Sequence, residues 1–291
     1  MLSGQPQNRA RTILFAARRD VPLPAYPRPT HQTQRVPISM MTTWMRNNLL
    51  NVPSAAVAAT LEPPLTLRDA FADLPSLAAP PARTFRDGRV NREDKETRAA
   101  PHRVVRYAGK TSSGAAVGPT CAFQRAARAK CEGDELHDHE SYVLNEDDQE
   151  RVEAVPCARV KEHACWRDIP EGRTTRETGK PLIPDYARSY RRANACFGRL
   201  AWSDIVPTVV CRPEPHNRPI IHPDEDRILS IRENARVQGF PDDYVFCGSI
   251  RARYQQVGNA VSPKLAEALG LQILRAFARA PPHGEETAAD E

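Results

Sequence analysis

The side chains best suited to chemistry in this chain stand in three short runs. In the first, Gln7-x-Arg9-x-Arg11, the period of two places all three side chains on one face of an extended segment. Guanidinium forks on such a face suit one polar group, such as a carbonyl or a phosphate. The second run, Arg232-Glu233-Asn234-Ala235-Arg236, sets two arginines one helical turn apart, with Glu233 within i,i+3 reach of Arg236. On these residues alone it reads as a solvated helix with one weak ion pair. The third, Gln256-Val257-Gly258-Asn259-Ala260-Val261, joins a carboxamide to a glycine that lets another backbone come close. The seven cysteines form no CxxC pair and their number is odd, which reads as reduced thiols of an intracellular protein. His137 and His139 invite a metal, but their acidic flanks favour solvated side chains, and no metal is assigned.

The elements that must position these runs are partly written into the chain. Ser230 and Glu233 form a capping box, Gly239 supplies a left-handed exit and Pro241 forbids continuation, so the second run is a helix of about two turns. Thr12 to Ala17 is an apolar run that reads as a buried strand, followed by a Pro-rich loop to Thr30-His31. Thr66 with Asp69 caps a helix whose Leu67, Phe71 and Leu74 share one face, and Asn145 with Asp148 caps another that aligns Val152 and Val155. Between them, about 78–133 is rich in Ala, Pro, Arg, Gly and Ser without periodicity, and is expected to be poorly ordered. Phe197 to Arg212 reads as a strand pair turning near Ser203-Asp204. The last helix starts at Ser262-Pro263 and carries Leu265, Leu269, Ile273 and Phe277 in a stripe that should dock on a sheet.

Composition narrows the class. With 291 residues and 40% hydrophobic content the chain can bury a core, while 27 prolines imply long loops. The net charge of +5 is unevenly placed: residues 1–50 hold seven arginines against a single acid, Asp20. A basic segment of this kind suits a polyanion. No apolar run approaches the roughly 20 residues of a bilayer span, and the N-terminus has no signal core, so the expectation is a soluble protein with no membrane partner.

Arg232 to Pro241 resembles the ninth of the ten motifs of the DNA cytosine-5 methyltransferases, Gln256 to Val261 resembles the tenth, and Gln7 to His31 resembles the eighth. The stretches Asp138 to Pro156 and Phe197 to Pro223 are similar to the chromomethylase branch. The resemblance implies part of a doubly wound, Rossmann-like α/β methyltransferase domain plus an irregular α+β target-recognition region. Its divisions are 1–60 for the last catalytic strands, 61–225 for recognition, 226–280 for the ninth and tenth motifs, and a frayed acidic tail at 281–291.

By the same resemblance, Arg9 and Arg11 approach the carbonyl of an extruded cytosine and a nearby phosphate. Gln7 holds the interface to the recognition region. Arg232, Glu233 and Arg236 form a network fixing that region against the catalytic domain. Asn259, Ala260 and Val261 close a pocket for S-adenosyl-L-methionine. The implied partners are double-stranded DNA, chromatin and an N-terminal catalytic half, in the nucleus. The Pro-Cys nucleophile loop, the cytosine-binding Glu and the Gly-rich cofactor turn of the family are not found in this sequence, and Pro156-Cys157 lacks the glycines of such a loop. The alternative is a non-catalytic DNA-binding remnant.

Overall fold

A computed structural model of the protein describes residues 4–9, 13–19, 21–31, 60–77, 104–189, 196–216 and 218–280. In chain order they form β1 (Gln7–Asn8), α1 (Leu67–Phe71), β2 (Val105–Arg106), α2 (Ala122–Arg128), β3 (Glu135–Leu136) and α3 (Glu146–Ala154). These are followed by α4 (Asp185–Ser189), β4 (Val206–Pro207), α5 (Ile231–Gln238), α6 (Ile250–Asn259) and α7 (Pro263–Phe277). The architecture is mixed α/β, with β1 pairing in parallel to β4 and β2 antiparallel to β3.

Local chemistry accounts for the helix starts. The Ser230 hydroxyl accepts from Glu233 N while the Glu233 carboxylate accepts from Ser230 N, and Gly239 leaves α5 at φ 84°. Thr66 and Asp69 form the same box on α1, and Asn145 caps α3 through Asp148 N. Tertiary packing then decides which faces are buried. Ile231, Ala235 and Val237 of α5 join Leu67 and Phe71 of α1, and Tyr254 and Val257 of α6, in one core. Full burial of each large apolar side chain contributes about 1.5–3 kcal/mol. A second core gathers Val152, Val155, Trp166, Phe197, Ile221 and Ile228.

Four expectations are corrected. Residues 13–17 form no strand and Leu14 is 87% exposed, because no neighbouring strand among the described residues offers a ladder. The limbs around Ser203-Asp204 pair with other segments rather than each other: β4 joins β1, and Arg199 bridges to Ile221. The turn is instead tied to α1, whose Leu67 and Arg68 amides donate to Asp204 O and Trp202 O. Of the stretch expected to lack order, 104–133 carries β2 and α2, with Phe123 buried and Gln124 donating to Arg68 O at 2.9 Å. The remainder, 78–103, lies outside the described residues, as does the acidic tail. Finally, α7 has Pro263 at its start as expected, but Leu271, Ile273, Leu274 and Phe277 are exposed, and no described strand covers them.

Candidate functional site

The ends of the chain meet. β1 lies against β4, and its Gln7 side chain, 2% exposed, donates through Nε2 to Gln238 Oε1 at the end of α5. Gln238 in turn donates to Val257 O at 2.7 Å, so β1, α5 and α6 share one buried amide relay. Arg9 continues the junction: its Nη1 donates to Gly258 O at 2.8 Å and to Val209 O at 3.2 Å. Gln5 donates to the Ser262 hydroxyl, which makes no cap bond to α7.

Gly258 fits here because nothing larger can. A methyl group built on it would lie 2.6 Å from both Cys211 N and the Val210 carbonyl carbon, well inside van der Waals contact. At the open edge of this junction Asn259 and Val261 are exposed and Ala260 is half-buried, and Cys211 Sγ donates to Asn259 Oδ1 at 2.9 Å. Gln7, Arg9, Asn259, Ala260 and Val261 are therefore brought together, while Arg11 lies outside the described residues.

The helix behind this junction departs from its solvated reading: Arg232 and Arg236 are 0% exposed and Glu233 1%. Glu233 does not pair with Arg236. It takes a bidentate pair from Arg227, Nη1 and Nη2 each at 2.8 Å. Arg236 instead reaches Asp242 at 2.6 and 2.5 Å, Asp73 at 3.0 Å and Ala70 O at 2.9 Å. Arg232 donates to the carbonyls of His137, Pro241 and Tyr244. Asp138 bridges it to Arg253, at 3.5 and 2.7 Å.

Burial would raise the Glu233 carboxyl, but the Arg227 guanidinium outweighs it and holds the group well below the usual carboxylate range. Asp242 is likewise depressed, because Arg236 overcomes the cost of its burial. Charges so deep persist only when paired, and each is: Arg253 through Nη1 alone, its Nε and Nη2 finding no partner among the described residues. The network crosses the chain, joining residues 70–73 and 137–138 to 227–253.

His139 corrects a further expectation. It is 0% exposed, with Nε2 against Pro75 O at 2.8 Å and Nδ1 against the Ser230 hydroxyl at 3.0 Å. Burial lowers its pKa to about 4, so it is neutral and structural. Among the described residues no group of His, Cys, Asp and Glu could hold a metal ion.

A family model described as C-5 cytosine-specific DNA methylase matches residues 2–275. The chain belongs to this methylase family. Among curated relatives, DNA (cytosine-5)-methyltransferase 3 of Zea mays is 36% identical over 94% of this chain and 30% of its own length. DNA (cytosine-5)-methyltransferase CMT3 of Arabidopsis thaliana is 36% identical over 94% of this chain and 32% of its own length. This methylase chain thus spans about a third of the length of the curated relatives it matches. A candidate DNA modification methyltransferase encoded within an E. coli prophage gives a TM-score of 0.39 at 20% identity, covering 74% of this chain and 48% of that one.

Membership implies S-adenosyl-L-methionine as methyl donor. The tenth-motif residues fit one edge of such a ligand: an exposed carboxamide at Asn259 and an exposed apolar side chain at Val261. The close approach at Gly258 is filled by the protein's own residues 210–211 and makes no ligand cradle. Sequence reasoning missed Arg227, Asp73, Asp138 and Asp242 as partners of α5, and Cys211 as partner of Asn259. The contacts of Asp73, Asp138 and Cys211 span 163, 94 and 48 positions and leave no local signal, whereas Arg227 and Asp242 stand six positions from their partners and could have been found.

Proposed function

We propose that this chain is the carboxyl-terminal part of a chromomethylase-type DNA cytosine-5 methyltransferase. It acts on double-stranded DNA in chromatin, in the nucleus, and supplies DNA recognition together with one wall of the base and cofactor pocket. The observation that carries the reading is Arg9, whose Nη1 grips Gly258 O and Val209 O and so unites the eighth motif, the tenth motif and the end of the recognition segment at one place. The cofactor supplies an electrophilic methyl group.

Within that assembly Arg9 holds β1 in position, and with Arg11 it serves the carbonyl of the extruded cytosine and its phosphate. A guanidinium there orients the ring and stabilises negative charge developing on it. Gln7 seats β1 against α5. Arg232, Glu233 and Arg236 lock residues 61–225, taken as the recognition region, against 226–280. Asn259, Ala260 and Val261 form the cofactor edge. The Pro-Cys nucleophile and the Gly-rich turn are assigned to a complementary catalytic half.

The test is transfer of labelled methyl groups to DNA by this chain mixed with the catalytic half of the maize relative. Transfer that needs both components is expected, and transfer by the maize half unaltered by this chain overturns the reading. A second reading is a non-catalytic DNA-binding protein of the same descent. It predicts salt-sensitive duplex binding without transfer in the same mixture.

A further inference from the structure

Cys211 stands against the end of α6, and its thiol donates to Asn259 Oδ1 at 2.9 Å. Both partners ride on backbone that cannot retreat. Gly258 is packed so tightly on residues 210–211 that an added methyl would sit 2.6 Å from Cys211 N. Arg9 clamps the same two strands of chain together through Gly258 O and Val209 O. The thiol-to-carboxamide distance is therefore set by the fold rather than by side-chain chance.

A carboxamide has two chemically different ends, an acceptor oxygen and a nitrogen with two donors. A donor committed to the oxygen turns the nitrogen the other way. Asn259 is exposed, and among the described residues the side-chain bond it makes is the one its Oδ1 accepts from Cys211. We propose that Cys211 is a positioning residue for Asn259, holding the carboxamide with its N–H donors directed outward at an acceptor on the cofactor, such as a carboxylate or a ring nitrogen. The inference rests on the methyltransferase reading above. A serine hydroxyl can make the same donation, and more strongly than a thiol, whereas alanine cannot.

The contact is tested first without cofactor, on the full chain, by iodoacetamide labelling of Cys211 followed peptide by peptide. Removing the acceptor in Asn259→Ala frees the thiol, and a rate change of about five-fold is expected for one lost hydrogen bond. An unchanged rate overturns the proposal. Binding of labelled S-adenosyl-L-methionine is then measured in the mixture with the catalytic half. Cys211→Ala is expected to weaken it about five-fold and Cys211→Ser to stay within about two-fold of the parent, with melting temperatures alike. Equal binding by the parent and Cys211→Ala, or failure of serine to restore it, overturns this inference alone. No cofactor binding by the parent mixture overturns the methyltransferase reading and this inference with it.

Discussion

Replacing Glu233 by Gln tests the buried network at its most exacting point. Glu233 accepts both Arg227 guanidinium nitrogens at 2.8 Å and the Ser230 amide at 2.6 Å, so one carboxylate neutralises a buried cation and closes the cap of α5. Removing one partner of a buried pair costs about 3–5 kcal/mol, chiefly because the other charge is left uncompensated. Arg227 keeps Glu225 at 2.6 Å, which places the loss near the lower end, about 3 kcal/mol. For a body of this size that lowers the melting temperature by roughly 6–12 °C. The assay is thermal and urea unfolding followed by far-ultraviolet circular dichroism. A companion triple variant, Arg227→Met with Glu225→Gln and Glu233→Leu, removes all three charges and should recover part of the loss, the Ser230 amide still lacking its acceptor. A loss below about 1 kcal/mol in Glu233→Gln would refute the claim that Arg227, left with Glu225 alone, is the source of the penalty.

Acid should weaken the protein before its carboxylates titrate. His139 is neutral in the fold with a pKa of about 4 against 6.5 when unfolded, so the unfolded state binds the extra proton. His139 alone then loses roughly 3 kcal/mol of stability as pH falls from about 6.5 to about 4, and His222, whose pKa burial also lowers, adds a loss of the same sign, so His139→Gln should shallow rather than abolish that limb of the urea midpoint against pH. Gly258→Ala forces residues 210–211 away from α6, and a shift of about 1–3 kcal/mol in urea unfolding is expected, with hydrogen exchange at β4 quickened. Gln7→Ala leaves the Gln238 carboxamide oxygen without its donor, at a cost of about 1–3 kcal/mol, read by the same unfolding assay.

Local signals in the sequence were a good guide to where helices begin and a poor guide to what surrounds them. Ser230 with Glu233, Thr66 with Asp69, Asn145 with Asp148 and the left-handed Gly239 all stand as their neighbours dictated. Such signals act over three or four residues and need nothing else. The burial of Arg232 and Arg236 could not be read the same way, because Asp138 and Asp73 approach from 94 and 163 positions away. His139 misled for the same reason: acidic neighbours suggested water, but Pro75 and Ser230 enclose it. An apolar pattern also states only that a segment wants cover. Residues 13–17 and the stripe of α7 show the want, and the described residues do not supply the cover. The resemblance implies that the eighth- and tenth-motif residues share one place, but neither the bond of Arg9 to Gly258 O nor that of Cys211 to Asn259 is expected from it.

The clasp of Arg9 on Gly258 bridges 249 positions, which makes it a late event in the life of each molecule. A ribosome adding about 5–20 residues per second leaves Gln7 and Arg9 waiting roughly 10–50 s before their partners emerge. Contacts of such long sequence separation also close slowly once both ends are available. Newly made copies therefore pass through an interval in which β1 and β4 are still apart, and chaperone supply should govern how much of this protein a cell or an expression host accumulates.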